Sequence, residues 1–167
     1  MTETNVSVVV TGMAWMGSGI GSIESALKRL FREAEHEIAL TAYTISSGAD
    51  LIFDWLEGAL TRGVQVRLAT NRLNDLPSEV AFQLRRLASD YPHFHLYNFS
   101  REDEADLHAK ALVVDRRLAL IGSSNLSRRG LLTNHEIAIL LQGSSASVAA
   151  SVLDRLFSSQ YVVRISG

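Results

Sequence analysis

The sequence predicts an α/β protein, with a mixed, mainly parallel β-sheet flanked by helices on both faces. Three observations carry that expectation. Strand-like apolar runs alternate with segments of helical periodicity through the first half of the chain, which implies parallel strands joined by crossovers. After "DYP" the strand-like runs follow one another with only short polar stretches between, which adds antiparallel pairing. The 167 residues, 47% apolar and 20% charged, suit one globular domain over residues 1–167 with a full core.

"NVSVVV" is a β-branched run and the expected first strand, followed by the glycine-rich "TGMAWMGSGIGS". Ile23, Ala26, Leu27, Leu30, Phe31 and Ala34 recur at helical spacing and predict a helix over residues 22–36. "EIALTAYTI" is the next strand. Leu51, Ile52, Trp55, Leu56, Ala59 and Leu60 form the core face of a second helix, which "RG" at Arg62 and Gly63 terminates. "VQVRLAT" is a strand. Pro77 suits the first turn of a third helix running to about residue 89. "HFHLYNF" alternates as a strand, "SREDEAD" is an acidic loop, and "LHAKALVV", "LALIG" and "NHEIAILL" are strands, the first two joined by the tight turn "DRR". "SASVAASVLDRLFSS" closes as a helix with Val148, Val152, Leu153, Leu156 and Phe157 on one face.

A formal charge of −2 argues against a broad basic surface but permits a local basic cleft. The absence of cysteine excludes disulfides and thiolate zinc sites. "MTETNVSVVVTG" lacks the basic and apolar regions of a signal peptide, and no apolar run approaches the roughly 18 residues of a membrane span, so a cytoplasmic protein without a membrane partner is expected.

The chemistry gathers around "DLHAKALVVD". In a strand, His108, Lys110, Leu112 and Val114 share one face, so a strand that is otherwise apolar carries an imidazole and an ammonium at its start. The returning strand delivers Gly122, Ser123 and Asn125 of "IGSSN" to the same end, and Asn134 and Glu136 share a face of "NHEIAILL". Ser123 and Asn125 supply hydrogen-bond donors there, and the Glu136 carboxylate is suited to hold an imidazole N–H.

The run "HAKALVVDRRLALIGSSN" resembles the motif of the phospholipase D superfamily, His-x-Lys-x4-Asp-x6-Gly-Ser-x-Asn, at every fixed position, and "NHE" supplies the Asn-x-Glu typical downstream. The layout of about residues 22–160 is also similar to the small single-motif endonucleases of that superfamily. The resemblance implies a metal-independent phosphodiesterase, with no metal and no cofactor, acting through a phosphohistidine. His108 is then the nucleophile. Lys110 and Asn125 hold the non-bridging phosphate oxygens, Ser123 assists, and Glu136 orients an imidazole. Asp115, Gly122 and Asn134 complete the motif, and Asp115, placed in the turn, is expected to be structural. A second imidazole is needed to protonate the leaving oxygen, and this chain has a single motif, so a two-fold homodimer is expected. Glu136 is then placed to act across the interface.

Nucleic acid, DNA before RNA, is the expected substrate, and a DNA endonuclease the expected activity. A phospholipase D or phosphatidyl transferase is the alternative enzyme, and a weakly active or non-catalytic nucleic-acid-binding subunit of a larger complex the alternative outside catalysis. Arg128 and Arg129 in "SRRG" either track a nucleic-acid backbone or form a solvated turn. His93 and His95 read as structural or surface residues rather than a metal pair, and His36 as the last residue of a helix, where a cation complements the dipole. His135 is expected to face away from Asn134 and Glu136. "GSGIG" reads as a connector, with Met13, Trp15 and Met16 beside it as a packed loop or a contact surface. The acidic loop Arg101 to Asp106 reads as a solvated loop or a lid against non-specific binding.

Overall fold

Strand direction decides which side chains can meet. A computed structural model describes residues 4–15, 17, 19–46, 48–99 and 105–166. The strands are β1 (Asn5–Thr11), β2 (Gly21–Ser22), β3 (Glu37–Ala42), β4 (Gln65–Asn71), β5 (Phe94–Phe99), β6 (Ala111–Val114), β7 (Leu118–Gly122), β8 (Glu136–Gln142) and β9 (Val162–Ile165). They form one nine-stranded sheet in the order β2-β1-β8-β7-β6-β3-β4-β5-β9. The helices are α1 (Ile23–Glu33), α2 (Asp50–Thr61), α3 (Ser78–Asp90), α4 (Arg128–Leu132) and α5 (Ser144–Phe157).

The mixed α/β class with helices on both faces is the observed architecture. The expected predominance of parallel pairing is corrected. Parallel ladders join β1 to β2, β3 to β4 and β4 to β5, and the other five neighbouring pairs are antiparallel. The crossover through α1 does not link neighbours, because β8, β7 and β6 lie between β1 and β3. The short connections among these later strands force them to alternate in direction. The helix α4 falls on a segment expected as a backbone-tracking or solvated turn, and β9 on residues for which the sequence predicts no element.

The two faces differ in depth. On one, Leu30 and Phe31 of α1, Ile52 and Leu56 of α2, and Leu84 of α3 pack on Ile38, Leu40, Val66, Leu68, Leu112 and Val114. On the other, α5 lays Ala146, Ala150, Leu153 and Phe157 over Ala39, Ala69, Val113 and Ala119. The small residues let α5 approach closely, but they also make this layer thin. Val148 and Val152, expected on the buried face of α5, are 64% and 60% exposed. Leu51 likewise lies outside the core face of α2. Beyond α5, Val6 and Val8 of β1, Ile121 of β7, and Ile137 and Ile139 of β8 form a strip of exposed apolar side chains on the same sheet face. Full burial of such side chains is worth about 1.5–3 kcal/mol each, so the strip is a surface with burial energy still to be gained.

Candidate active site

With β3 and β4 running in one direction and β6 and β8 in the other, one end of the sheet collects the C-terminal ends of β1, β3, β4 and β7 and the N-terminal ends of β6 and β8. His108, Lys110, Ser123, Asn125, Asn134 and Glu136 all belong to these termini. Ligands bind at such strand ends in open α/β sheets.

The segment ahead of β6 is not ladder strand, although the alternation of "LHAKALVV" predicts one. β6 begins only at Ala111. The hydroxyl of Thr41 takes the place of the ladder, donating to the Ala109 carbonyl at 3.0 Å and accepting from the Ala111 N–H at 3.2 Å. Asn71, almost fully buried at the end of β4, accepts the Leu107 N–H at 2.9 Å and donates to Asp106 at 3.1 Å. The Gly122 N–H donates to the Lys110 carbonyl at 3.1 Å. The segment from Leu107 to Lys110 is therefore extended but held by side chains, which leaves His108 on the rim.

Lys110 Nζ donates to the His108 carbonyl at 2.8 Å and lies 3.2 Å from His108 Nδ1. A charged ammonium there requires Nδ1 to accept, which places the ring proton of a neutral imidazole on Nε2. Burial lowers the Lys110 pKa from its ordinary value, and the Glu136 carboxylate partly offsets this. Tyr43, directly after β3, stacks obliquely on the imidazole, with centroids 4.4 Å apart, and lies 5.3 Å from Lys110 Nζ.

Opposite this pair, Ser123 donates to one oxygen of Glu136, and Asn134 Nδ2 donates to the other at 3.3 Å. Glu136 makes no hydrogen bond to His108 within the chain. Gly122 is required by proximity, because a Cβ there would stand 2.5 Å from the Ala138 Cβ and 2.6 Å from the Ile137 carbonyl. Gly130 is required in the same way, beneath the loop, where a Cβ would meet the Asn125 carbonyl at 2.5 Å. Ser127 caps α4 through the Gly130 N–H at 3.0 Å, and the bridge between Ile45 and Leu126 stitches the Asn125 loop to the segment after β3. Asn125 Oδ1 is buried without a donor. Arg128 and Arg129 open α4 and are exposed beside this loop. His108, Lys110, Ser123, Asn125 and Tyr43 line one open cleft of about 530 Å³.

Asp115 sits at the far end of β6. Its carboxylate accepts the N–H groups of Glu35, His36 and Glu37 at 2.8–2.9 Å. Burial disfavours its charge, but these three bonds and Arg117 outweigh that and lower its pKa. Asp115 and Arg116 both have positive φ, 48° and 56°, in the turn that Arg117 N–H closes on the Val114 carbonyl. Asp is among the residues that tolerate this conformation.

The remaining histidines are engaged elsewhere. His135 Nε2 accepts the Ala14 N–H at 3.0 Å and its ring meets Trp15 edge-on, pinning the turn after β1. Met16, in the same loop, lies outside the described residues, as do Arg101 to Glu104 of the acidic loop. Asp106 is ion-paired with Arg72 at 3.1 Å, just ahead of the segment that carries His108. His93 bonds the Leu60 carbonyl at 2.9 Å. His36 stands past the end of α1 rather than on it. Among the described residues no three His, Asp or Glu side chains converge.

Tyr43, Thr41, Asn71 and Gly130 are the site residues that sequence reading missed. Thr41 and Tyr43 lie in a run that reads only as strand. One signal was available, namely a polar and an aromatic residue at the C-terminal end of a strand beside the sheet's change of direction.

The chain matches the family model described as "Cardiolipin synthase, PLD-like domain" over residues 27–160. It is 28% identical to the DISARM protein DrmC of Bacillus paralicheniformis across 98% of this chain and 68% of that protein. It is 31% identical to cardiolipin synthase A of Serratia proteamaculans across 71% of this chain, but it spans only 24% of that enzyme. Among solved structures, its fold is similar to Nuc, a phospholipase D family member from Salmonella typhimurium (TM-score 0.76, 17% identity, 99% of this chain and 100% of that one). It is also similar to NucT from Helicobacter pylori (TM-score 0.75, 14% identity, 98% and 100%), and to 41% of phosphatidylserine synthase from Haemophilus influenzae (TM-score 0.71, 15% identity, 99% of this chain). A family match across most of the chain, on a sheet that gathers the His-x-Lys, Gly-Ser-x-Asn and Asn-x-Glu groups at one rim, makes this protein a phosphodiesterase- or phosphotransferase-type member of the phospholipase D superfamily.

Proposed function

We propose that the protein is a metal-independent nuclease, a DNA endonuclease that works as a homodimer through a phosphohistidine at His108. The observation that carries the choice of substrate is the shape of the site. The cleft beside His108 is open, and the apolar cavity beneath Lys110, among Ile23, Leu27, Leu40 and Leu112, is only about 30 Å³, the space of one water. A sugar-phosphate backbone fits along such a rim, whereas an acyl chain finds no room under it. Arg128 and Arg129 extend the rim with positive charge. The coextensive fold of Nuc and NucT agrees with a single-motif nuclease of this length.

In the proposed reaction His108 Nε2 attacks phosphorus, the P–O bond to the leaving oxygen breaks, and a second imidazole protonates that oxygen. Water then attacks the phosphohistidine, giving its proton to the same second imidazole and returning His108. Lys110 and the Asn125 amide neutralise the phosphate oxygens as charge builds, which is where such donors contribute most. Attack through Nε2 requires the ring proton on Nδ1, so the Lys110 contact at Nδ1 has to give way to a group that accepts that proton, such as a carboxylate. Glu136 points to Ser123 and Asn134 in its own chain, so it is offered to the imidazole of a second copy. The strip of Val6, Val8, Ile121, Ile137 and Ile139 supports pairing, because it adjoins the site and is left uncovered.

A lipid substrate is the second reading, favoured by the cardiolipin synthase relatives. Incubation with single- and double-stranded DNA, RNA and phosphatidylglycerol vesicles, with and without EDTA, tests both. The nuclease reading expects DNA cleavage that persists in EDTA and disappears in His108→Ala. Turnover of the vesicles alone, or nucleic-acid binding without cleavage, overturns it. Light scattering at micromolar concentration should give twice the chain mass.

A further inference from the structure

Tyr43 is packed into neither layer of the core, although it follows a buried strand. Its ring contacts are two residues of the site: the His108 imidazole at 4.4 Å and 51°, and Lys110 Nζ at 5.3 Å. Both distances lie within the ranges at which aromatic pairs and cation–π pairs attract. The backbone around Tyr43 is fixed on both sides. Thr41 grips the segment leading to Lys110, and Ile45, fully buried, bridges Leu126 beside Asn125. The backbone that carries the ring is therefore held by the same two segments that carry the phosphate-binding groups.

The two residues that touch the ring depend on it differently. Lys110 is also tied to the His108 carbonyl at 2.8 Å, so its ammonium has a second fastening. Among the described residues, the other contact of the His108 ring is that ammonium, 3.2 Å from Nδ1. An exposed imidazole fastened through one ring nitrogen has several staggered rotamers open to it, and only one aims Nε2 at phosphorus. A misplacement of about 1 Å in such a group costs on the order of a hundredfold in rate.

We propose that Tyr43 is the positioning residue of the nucleophile: its ring face selects the His108 rotamer that attacks the phosphodiester. This rests on the phosphodiesterase reading of His108 and adds to it a residue outside the motif. The ring acts through its face and edge, not through its hydroxyl, so phenylalanine should serve and an aliphatic residue of comparable bulk should not.

The test uses bis(p-nitrophenyl) phosphate, a substrate too small to engage distant surfaces. Tyr43→Leu should lower kcat by about 10- to 100-fold, with KM within about threefold because Lys110 keeps its second fastening. Tyr43→Phe should recover kcat to within about threefold, and both should melt near the parent because the ring lies outside the core. Wild-type protein should show nuclear Overhauser contacts between the Tyr43 and His108 ring protons, a measurement that needs no variant. The proposal is overturned by an unchanged kcat in Tyr43→Leu, by a loss confined to KM, by a Phe variant as slow as the Leu variant, or by absence of the ring contacts. If the wild type is inert toward the diester, the nuclease reading fails while the ring contacts still decide the placement of His108.

Discussion

The two ends of the segment from Asp106 to Asp115 are built in opposite ways. At the His108 end the side chains stand on a rim, share one ammonium, and leave the neighbouring Asn125 oxygen without a donor. At the Asp115 end every acceptor is used. Three backbone N–H groups converge on one carboxylate, and beside it Arg67 and Arg116 bridge Glu37 and Asp154, fastening α5 to the sheet. Hydrogen bonds to the Arg116 guanidinium come first in lowering the Asp154 pKa. The motif's spacing from lysine to aspartate thus spans β6, from a rim with an unpaired acceptor to an anchor held by three amides.

The two ends can be removed one at a time. His108→Ala should abolish turnover by about a thousandfold or more, the scale of losing a covalent nucleophile, and leave the urea midpoint unchanged. A large stability loss there would show that the rim is structural after all. Asp115→Ala should do the reverse. It strands three amides and removes a buried charge, a loss of about 3 kcal/mol or more in equilibrium unfolding, while kcat of the folded fraction stays near the parent. Gly122→Ala, at the His108 end of β7, should affect both stability and activity. Its methyl must displace β8 at Ala138, so a loss of about 1–3 kcal/mol should accompany a fall in activity as Ser123 and Glu136 move apart.

The smallest effects come from pH, and they too divide by end. The Asp115 pKa is lowered on folding from its ordinary 3.8. Its contribution is therefore complete above that value and is lost as the pH falls through the lower folded value. Acid unfolding should be steeper in the parent than in Asp115→Asn. The Lys110 pKa is lowered from 10.5, so vanadate binding at the rim should weaken, as the pH rises, at a pH below the ordinary lysine range. A titration at or above 10.5 would mean that the ammonium is not buried as described.

The site was largely legible in the sequence because the motif packs its chemistry into adjacent strands whose alternation fixes the faces. His108, Lys110, Ser123, Asn125, Asn134 and Glu136 reach one rim by strand periodicity and one hairpin. Thr41, Tyr43 and Asn71 were not legible, since they arrive from strands far away along the chain and their contact with the motif depends on which strands neighbour which. The same ignorance of order produced the expectation of a mainly parallel sheet, because nothing local in β1 or β3 announces that three later strands slip between them. α4 and β9 are too short for periodicity to mark. Val148 and Val152 read as inward because valines four residues apart share a helix face, and nothing local reveals that the neighbouring strip of Ala146 and Ala150 does the packing.

The fastening of residues 107–110 has a further consequence. Ladder strands are positioned collectively, and one altered residue is averaged over its neighbours. Here the path of the chain into His108 is set by three individual clasps: the Asn71 amide, the Thr41 hydroxyl and the Gly122 N–H. Two of them are side chains that a single substitution, such as Thr41→Val or Asn71→Leu, removes while the ladder pairs of β3 with β4 remain. The segment is in effect an adjustable mount on a fixed bench, and the placement of His108 can shift through the clasps while the motif stays the same.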